Sequence, residues 1–263
     1  MATKYDRVVD LLRTRIEDGT YPAGTRLPAE TALAEEIGFT VQVVRRALSE
    51  LQAEGLIDRI HGRGTWVRQQ RRPVERTTER YVWEKQRVHA SEEERASTGA
   101  TERDAGLEVH DLLFEAEYAE VEAPADLAAT FEVSTSTKLL RRTYRTRTHG
   151  DAPFNVSTSY LPLDLVAANP ALLDSTREPW PGGTQHQLFT VGVEVDRIID
   201  KVTARPPRAD EVAALDLPAG VAVLVLRKVS IDITGRVVEV ADVVLPGDRT
   251  QLVYTTQLPR WSA

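Results

Sequence analysis

Residues 27–67 constrain this chain more than any other stretch: LPAETALAEEIGFTVQVVRRAL is followed, two residues on, by LQAEGLIDRIHGRGTWV. Pro28 suits the first turn of a helix that carries Leu33, Ala34 and Ile37 inward, and Gly38 ends it after about eight residues. Thr40 stands where a cap would start a further helix, with Val44, Ala47, Leu48 and Leu51 at the spacing of one buried face. Ile57–Ile60 and Thr65–Arg68 alternate as strands around His61-Gly62-Arg63-Gly64, whose glycines permit a tight turn. A preceding amphipathic helix over roughly Lys4–Glu17, with Val8, Val9, Leu12 and Ile16 inward, completes the layout of a winged helix-turn-helix, which sets one helix in a DNA major groove.

Charge agrees with that placement once the chain is divided. The chain holds 33 Lys/Arg and 40 Asp/Glu, a net charge of −7, yet residues 1–72 carry 12 basic and 10 acidic residues. Phosphates attract a local basic surface, so any nucleic-acid contact belongs to the first part. Gln42, Arg45 and Arg46 lie on the exposed side of the second helix of the pair. Arginine bonds a guanine edge bidentately and glutamine an adenine edge. The alternative is a solvated outer face of a core helix. His61 and Arg63 at the wing tip suit a narrow minor groove.

The run Tyr21-Pro22-Ala23-Gly24-Thr25-Arg26-Leu27-Pro28-Ala29-Glu30, then Val44-Arg45-Arg46-Ala47-Leu48, then Gly55-Leu56-Ile57 to Gly62-Arg63-Gly64-Thr65 resembles the GntR family of bacterial transcription regulators over residues 4–68. The resemblance implies a dimeric repressor or activator, with repressor the expectation, that binds double-stranded operator DNA with the wing in the minor groove. Read with the residues above, it assigns DNA contact to Arg26, Thr40, Gln42, Arg45, Arg46, His61, Gly62 and Arg63. Val41 stands where the family usually has an arginine, which places base reading on Gln42 and Arg45.

Residues 71–80 lie in the run QQRRPVERTTER, which reads as a linker between a domain at 1–70 and another at 81–263. Arg71 and Arg72 either touch phosphates or form a solvated charge run. The second part holds a weak repeat. ADLAATFEV at 125–133 aligns with ADEVAALDL at 209–217, and each is followed by two β-rich runs separated at Gly150 or Gly235. Two such hairpins in one antiparallel sheet, with helices against it, make an α+β domain. Alternation puts Arg145 and Arg147 on one face of their strand, and Asn155, Ser157 and Ser159 on one face of the next. If those faces coincide, guanidinium groups stand beside hydroxyls, a set that suits a carboxylate or phosphate. Glu239, at the matching place in the second hairpin, can accept from a ligand amine or hydroxyl. The alternative is an exposed sheet face balanced by the domain's acids.

The stretches RTRTHGDAP at 145–153, STSYLP at 157–162, and GRVVEVA at 235–241 leading to Gly247-Asp248-Arg249 resemble the effector-binding UTRA domain of the HutC subfamily of these regulators. The resemblance implies a chorismate-lyase-like α+β fold and an anionic effector held by Arg145, Arg147, Ser157, Ser159 and Glu239. Leu245 and Thr250 stand where the family often has aromatic residues, which argues for a small molecule other than a sugar phosphate. His89–Gly106, HASEEERASTGATERDAG, is polar and without periodicity, and reads as disorder or as a flap over the pocket. Trp180–Thr184 reads as a turn before a short helix at 185–191, either a plain loop or an anion site.

Other function classes find little support. There is no cysteine, the five histidines (61, 89, 110, 149, 186) form no metal-ligand pattern, and no Gly-x-Ser-x-Gly elbow occurs. A lyase or hydrolase acting through Glu239 and Arg147 is the enzyme alternative, and a constitutive DNA binder with a dimerising second domain is the milder one. No cofactor is expected. The N-terminus lacks a signal-peptide pattern and no run approaches ~18 apolar residues, so a cytoplasmic, membrane-free protein is the expectation, and the family resemblance implies that it is a homodimer.

Overall fold

The computed structural model describes residues 3–69, 73–108, 111–148 and 152–260. The chain divides into two compact units, residues 1–72 with 217–222, and 73–216 with 223–263.

The first unit contains helices α1 (Lys4–Glu17), α2 (Glu30–Ile37) and α3 (Val41–Ala53), then the hairpin of β1 (Ile57–Ile60) and β2 (Gly64–Val67). A capping box starts α1: the Thr3 Oγ1 accepts from the Asp6 N–H at 3.2 Å, and Asp6 accepts from the Thr3 N–H at 2.7 Å. Gly38 ends α2 in the left-handed region at φ +70°, where a β-carbon would clash with its own backbone. Thr40 does occupy the cap position of α3, but its side chain makes no capping bond. Val8, Val9 and Leu12 pack with Leu33, Ala34, Val44, Ala47, Leu48 and Leu51, and Ile57 and Val67 tie the hairpin to the same core.

The second unit is a six-stranded antiparallel sheet. Its strands are β4 (Leu112–Glu122), β5 (Lys138–Thr148), β6 (Asn155–Pro162), β7 (Val195–Arg205), β8 (Val223–Asp232) and β9 (Val237–Pro246), in the order β4-β5-β6-β9-β8-β7. Helices α7 (Ala125–Phe131) and α10 (Ala209–Leu215) each follow an outer strand and precede a hairpin. The repeat is therefore strand–helix–strand–strand, one strand longer than the hairpin unit expected, and β6 meets β9 at the centre. Both helices stop at a left-handed non-glycine residue, Glu132 at φ +57° and Asp216 at φ +47°. The turn expected at Gly150 lies outside the described residues.

One sheet face packs Leu139, Val229, Ile231 and Val240 against Leu127, Ala128 and Phe131 of α7. On the other, Leu140, Leu161 and Val238 pack with Val166 of α8 (Leu163–Val166) and Leu188 of α9 (Gly183–Phe189). The short helix expected after the Trp180–Thr184 turn is thus α9, beginning two residues earlier.

Two expectations change. Residues 71 and 72 of the expected linker lie outside the described residues, and the rest is ordered. Val74–Thr77 (β3) runs parallel to Thr250–Val253 (β10), and Glu79–Gln86 forms α4. The polar segment 89–106 is helical, as α5 (Glu92–Ala96) and α6 (Ala100–Ala105). Ion pairs and carbonyl bonds replace the missing apolar face. Asp104 of α6 pairs with the buried Arg80, and Arg87 donates to the Glu94 carbonyl and, at 2.8 Å, to that of Thr98.

Among the described residues, no helix is long and apolar enough to cross a membrane, and no group of three potential metal ligands occurs.

Candidate functional sites

On the first unit, Thr40, Gln42, Arg45 and Arg46 are exposed along the start of α3, and His61, Gly62 and Arg63 are exposed at the hairpin tip. Arg26 bridges to Trp66 of β2 and reaches along the strand toward the hairpin tip. Its guanidinium lies so close to Gly64 that a β-carbon there would sit 2.6 Å from the Arg26 Nε. Arg26, Glu30, Arg59, His61 and Gly62 border one cleft of about 570 Å³ between α2 and the hairpin. The two adjacent arginines of α3 differ. Arg46 lies over the Tyr5 ring, 4.5 Å from its centroid, a cation–π contact that ties it to α1. Arg45 keeps 60% of its side chain exposed and donates from Nε to the Glu30 Oε2 at 2.8 Å. The other Glu30 oxygen accepts from Arg59 at 2.6 Å. Sequence reading missed Glu30 and Arg59, because their partners lie 15 and 29 residues away and no local period marks them.

On the second unit, a cavity of about 370 Å³ opens between the sheet and helices α4–α6. Strand pairing decides which side chains face it. Arg142 pairs with Ser159, Tyr144 with Ser157 and Thr146 with Asn155, so these six share a face. Ser157, Ser159 and Glu239 line the cavity as expected. Arg145 and Arg147 do not. They lie on the opposite, exposed face, where both pair with Glu115, Arg147 at 3.2 Å and Arg145 at 3.8 Å. The proposed coincidence of faces is off by one residue, and one residue inverts a strand's side chains.

The guanidinium beneath the serines is that of Arg142, fully buried and already engaged. It donates to Gln187 Oε1 at 2.5 Å, Ser159 Oγ at 2.9 Å and Thr184 Oγ1 at 3.3 Å, and reaches Glu239 Oε1 at 3.4 Å. Glu239 also accepts from Ser159 at 2.8 Å, Ser230 at 3.1 Å and the Lys228 ammonium at 2.8 Å. Burial alone would raise the Glu239 carboxyl. The charges of Lys228 and Arg142, with hydrogen bonds from Lys228 and Ser159, outweigh it and bring the pKa down to about 2.

A second carboxylate braces the wall. Glu178 accepts from the Tyr118 and Tyr144 hydroxyls, from Gln187 at 2.9 Å and from the Trp180 N–H at 2.6 Å. Burial, with the nearby Glu178 charge, pushes Tyr118 up to about 12 against the opposing pull of Arg142, so its hydroxyl remains a donor. With four donors on each carboxylate, neither is placed to exchange a proton with a bound molecule. Arg76, Arg80 and Lys228 bring cations to the cavity, and among the described residues the buried Arg80 Nε has no hydrogen-bond partner. Trp83, Phe114, Tyr144 and Trp180 add aromatic surface.

Comparison with known proteins places both units. The model of bacterial regulatory proteins of the gntR family matches residues 4–67, and that of the UTRA domain matches residues 116–251. An HTH-type transcriptional regulator of Rhizobium meliloti (strain 1021) is 29% identical over 257 residues, covering 95% of this chain and 93% of that protein. The HTH-type transcriptional repressor NagR of Bacillus subtilis (strain 168) is 25% identical over 251 residues, with 95% and 93% covered. A crystal structure of a GntR-family transcriptional regulator superposes with a TM-score of 0.67 at 28% identity, covering 97% of this chain and 98% of that one.

Proposed function

Because the chain belongs to the GntR family of transcription regulators, in the HutC subfamily that carries a chorismate-lyase-like UTRA domain, we propose that it is a repressor whose grip on operator DNA is set by a small anionic effector in the second unit's cavity. The observation that carries this reading is the cavity lining. Hydroxyls of Thr146 and Ser157, the amide of Asn155 and four aromatic faces surround about 370 Å³, the size of a metabolite site. The effector's negative group is met by Arg76, Arg80 and Lys228, in place of Arg145 and Arg147. The named function of NagR supports repression as the sign of control.

The first unit reads the operator through Gln42 and Arg45 in the major groove and through His61, Gly62 and Arg63 in the minor groove, with Arg26 and Thr40 at the backbone. The active form is a homodimer, which sets two recognition helices about 34 Å apart on half-sites one turn from each other. Coupling between effector and operator is reciprocal: whatever factor the effector costs the operator, the operator costs the effector.

A thermal-shift screen of small carboxylates and phosphates against the full chain tests this reading. A molecule that raises Tm is expected to release operator in a gel shift. Arg147→Ala is expected to respond as the parent does, whereas Ser157→Phe, which fills the cavity, keeps operator binding and loses the response. If stabilising molecules leave operator affinity unchanged, the chain is a constitutive DNA binder.

A further inference from the structure

We infer that Glu30 is a positioning residue for operator reading: its carboxylate brackets Arg45 of α3 and Arg59 of the wing strand, and so presents Arg45 to a single guanine. The inference rests on the recognition-helix reading above, and concerns a residue that need not touch DNA. Glu30 is the first residue of α2, and its two oxygens are divided between the two arginines, Oε2 to the Arg45 Nε at 2.8 Å and Oε1 to the Arg59 Nη2 at 2.6 Å. Arg59 uses its other Nη to reach Ser49 Oγ at 3.2 Å, and that hydroxyl donates to the Arg45 carbonyl at 3.0 Å. One carboxylate thereby ties three elements, α2, α3 and β1, around the base of a single outward-pointing side chain.

The choice of nitrogen matters. With Nε taken, the two Nη groups of Arg45 bond nothing else among the described residues and form the edge that matches O6 and N7 of guanine. An arginine 60% exposed and unbracketed would sample many rotamers and meet phosphates as readily as bases. Phosphate contact raises affinity for any sequence, and base contact raises it for one. Glu30 therefore acts on selectivity. Its negative charge lies beside the DNA-facing surface, which opposes phosphate binding in general, so removing it favours non-specific binding.

The test uses the full chain, a duplex selected by it from a random-sequence pool, and a scrambled duplex of equal length. For Glu30→Gln the selected duplex is expected to bind about tenfold more weakly, the loss of one well-set bidentate pair, while the scrambled duplex binds as tightly or about twofold more tightly. Tm is expected to stay within about 2 °C. In an Arg45→Ala background, Glu30→Gln is expected to leave the ratio of the two affinities unchanged. The inference is overturned by an unchanged ratio in the single variant, by a full loss that persists without Arg45, or by a fall in Tm with both affinities lost together. Should Arg45→Ala itself bind the selected duplex normally, the recognition-helix reading fails. A defective Arg45→Ala beside an unaffected Glu30→Gln removes only the inference.

Discussion

Arg45→Ala is expected to weaken operator binding at least tenfold, and up to about a hundredfold, while leaving binding to unrelated DNA almost intact. The reasoning separates it from its neighbours. Arg46 is turned onto the Tyr5 ring, so Arg46→Ala is expected to cost some stability and little selectivity. Gln42 is exposed one turn earlier, and Gln42→Ala tests separately whether it contacts a base of its own. Of these three residues, Arg45 is the one that combines exposure with an Nε held by a carboxylate. A gel shift over a salt series distinguishes the roles, because a lost base contact shifts affinity at every salt concentration, whereas a lost phosphate contact reduces the slope. Equal loss on operator and random duplexes would identify Arg45 as a phosphate ligand.

The largest stability effect is expected at Glu239. Its removal takes the directly paired carboxylate from the buried Arg142 and the partly buried Lys228, so Glu239→Ala should destabilise the second unit by about 3–5 kcal/mol. For a unit of this size that lowers Tm by roughly 10 °C. Replacing the whole set, as Arg142→Met, Lys228→Met and Glu239→Leu together, is expected to restore most of the stability, since an apolar cluster of similar volume needs no compensation. It should also abolish any anion response. The pH dependence has a definite sign. The folded Glu239 carboxyl titrates at about 2, below its unfolded value near 4.3, so the unfolded chain binds more protons between the two. Its contribution is complete above pH ~5 and disappears as pH falls toward 2. Denaturation of Glu239→Gln should show a shallower acid slope than the parent; parallel slopes would mean that Glu239 is not the group responsible.

The helices of the first unit were legible because each ends on a local signal. Gly38 can turn left-handed, and the buried positions of α3 recur at helical spacing within the segment itself. Thr40 shows the limit of such signals, occupying the cap position without making the bond. In the second unit, alternation correctly grouped Arg145 with Arg147 and Ser157 with Ser159, but which groups face each other depends on register across a turn. Register pairs Tyr144 with Ser157 and sends the two arginines to the far side. The flanking strands β4 and β7 were missed, as they carry charged residues on their exposed faces and lie outside the matching segments. Helices α5 and α6 were illegible for a related reason. Their order comes from Arg80 meeting Asp104 across 24 residues, and from Arg95 donating to the Pro181 carbonyl at 3.2 Å, rather than from an apolar stripe.

The central pairing of β6 with β9 has a mechanical consequence. Among the described residues, five of each strand, Val156–Tyr160 against Val240–Val244, join the two repeats within the sheet. The cavity straddles that seam: Tyr144, Ser157 and Ser159 come from one repeat, and Lys228, Glu239 and Ala241 from the other. A molecule seated there would touch both halves at once, as a cross-brace does. Its binding energy would then add to the side-chain packing that already holds the two repeats together across the seam.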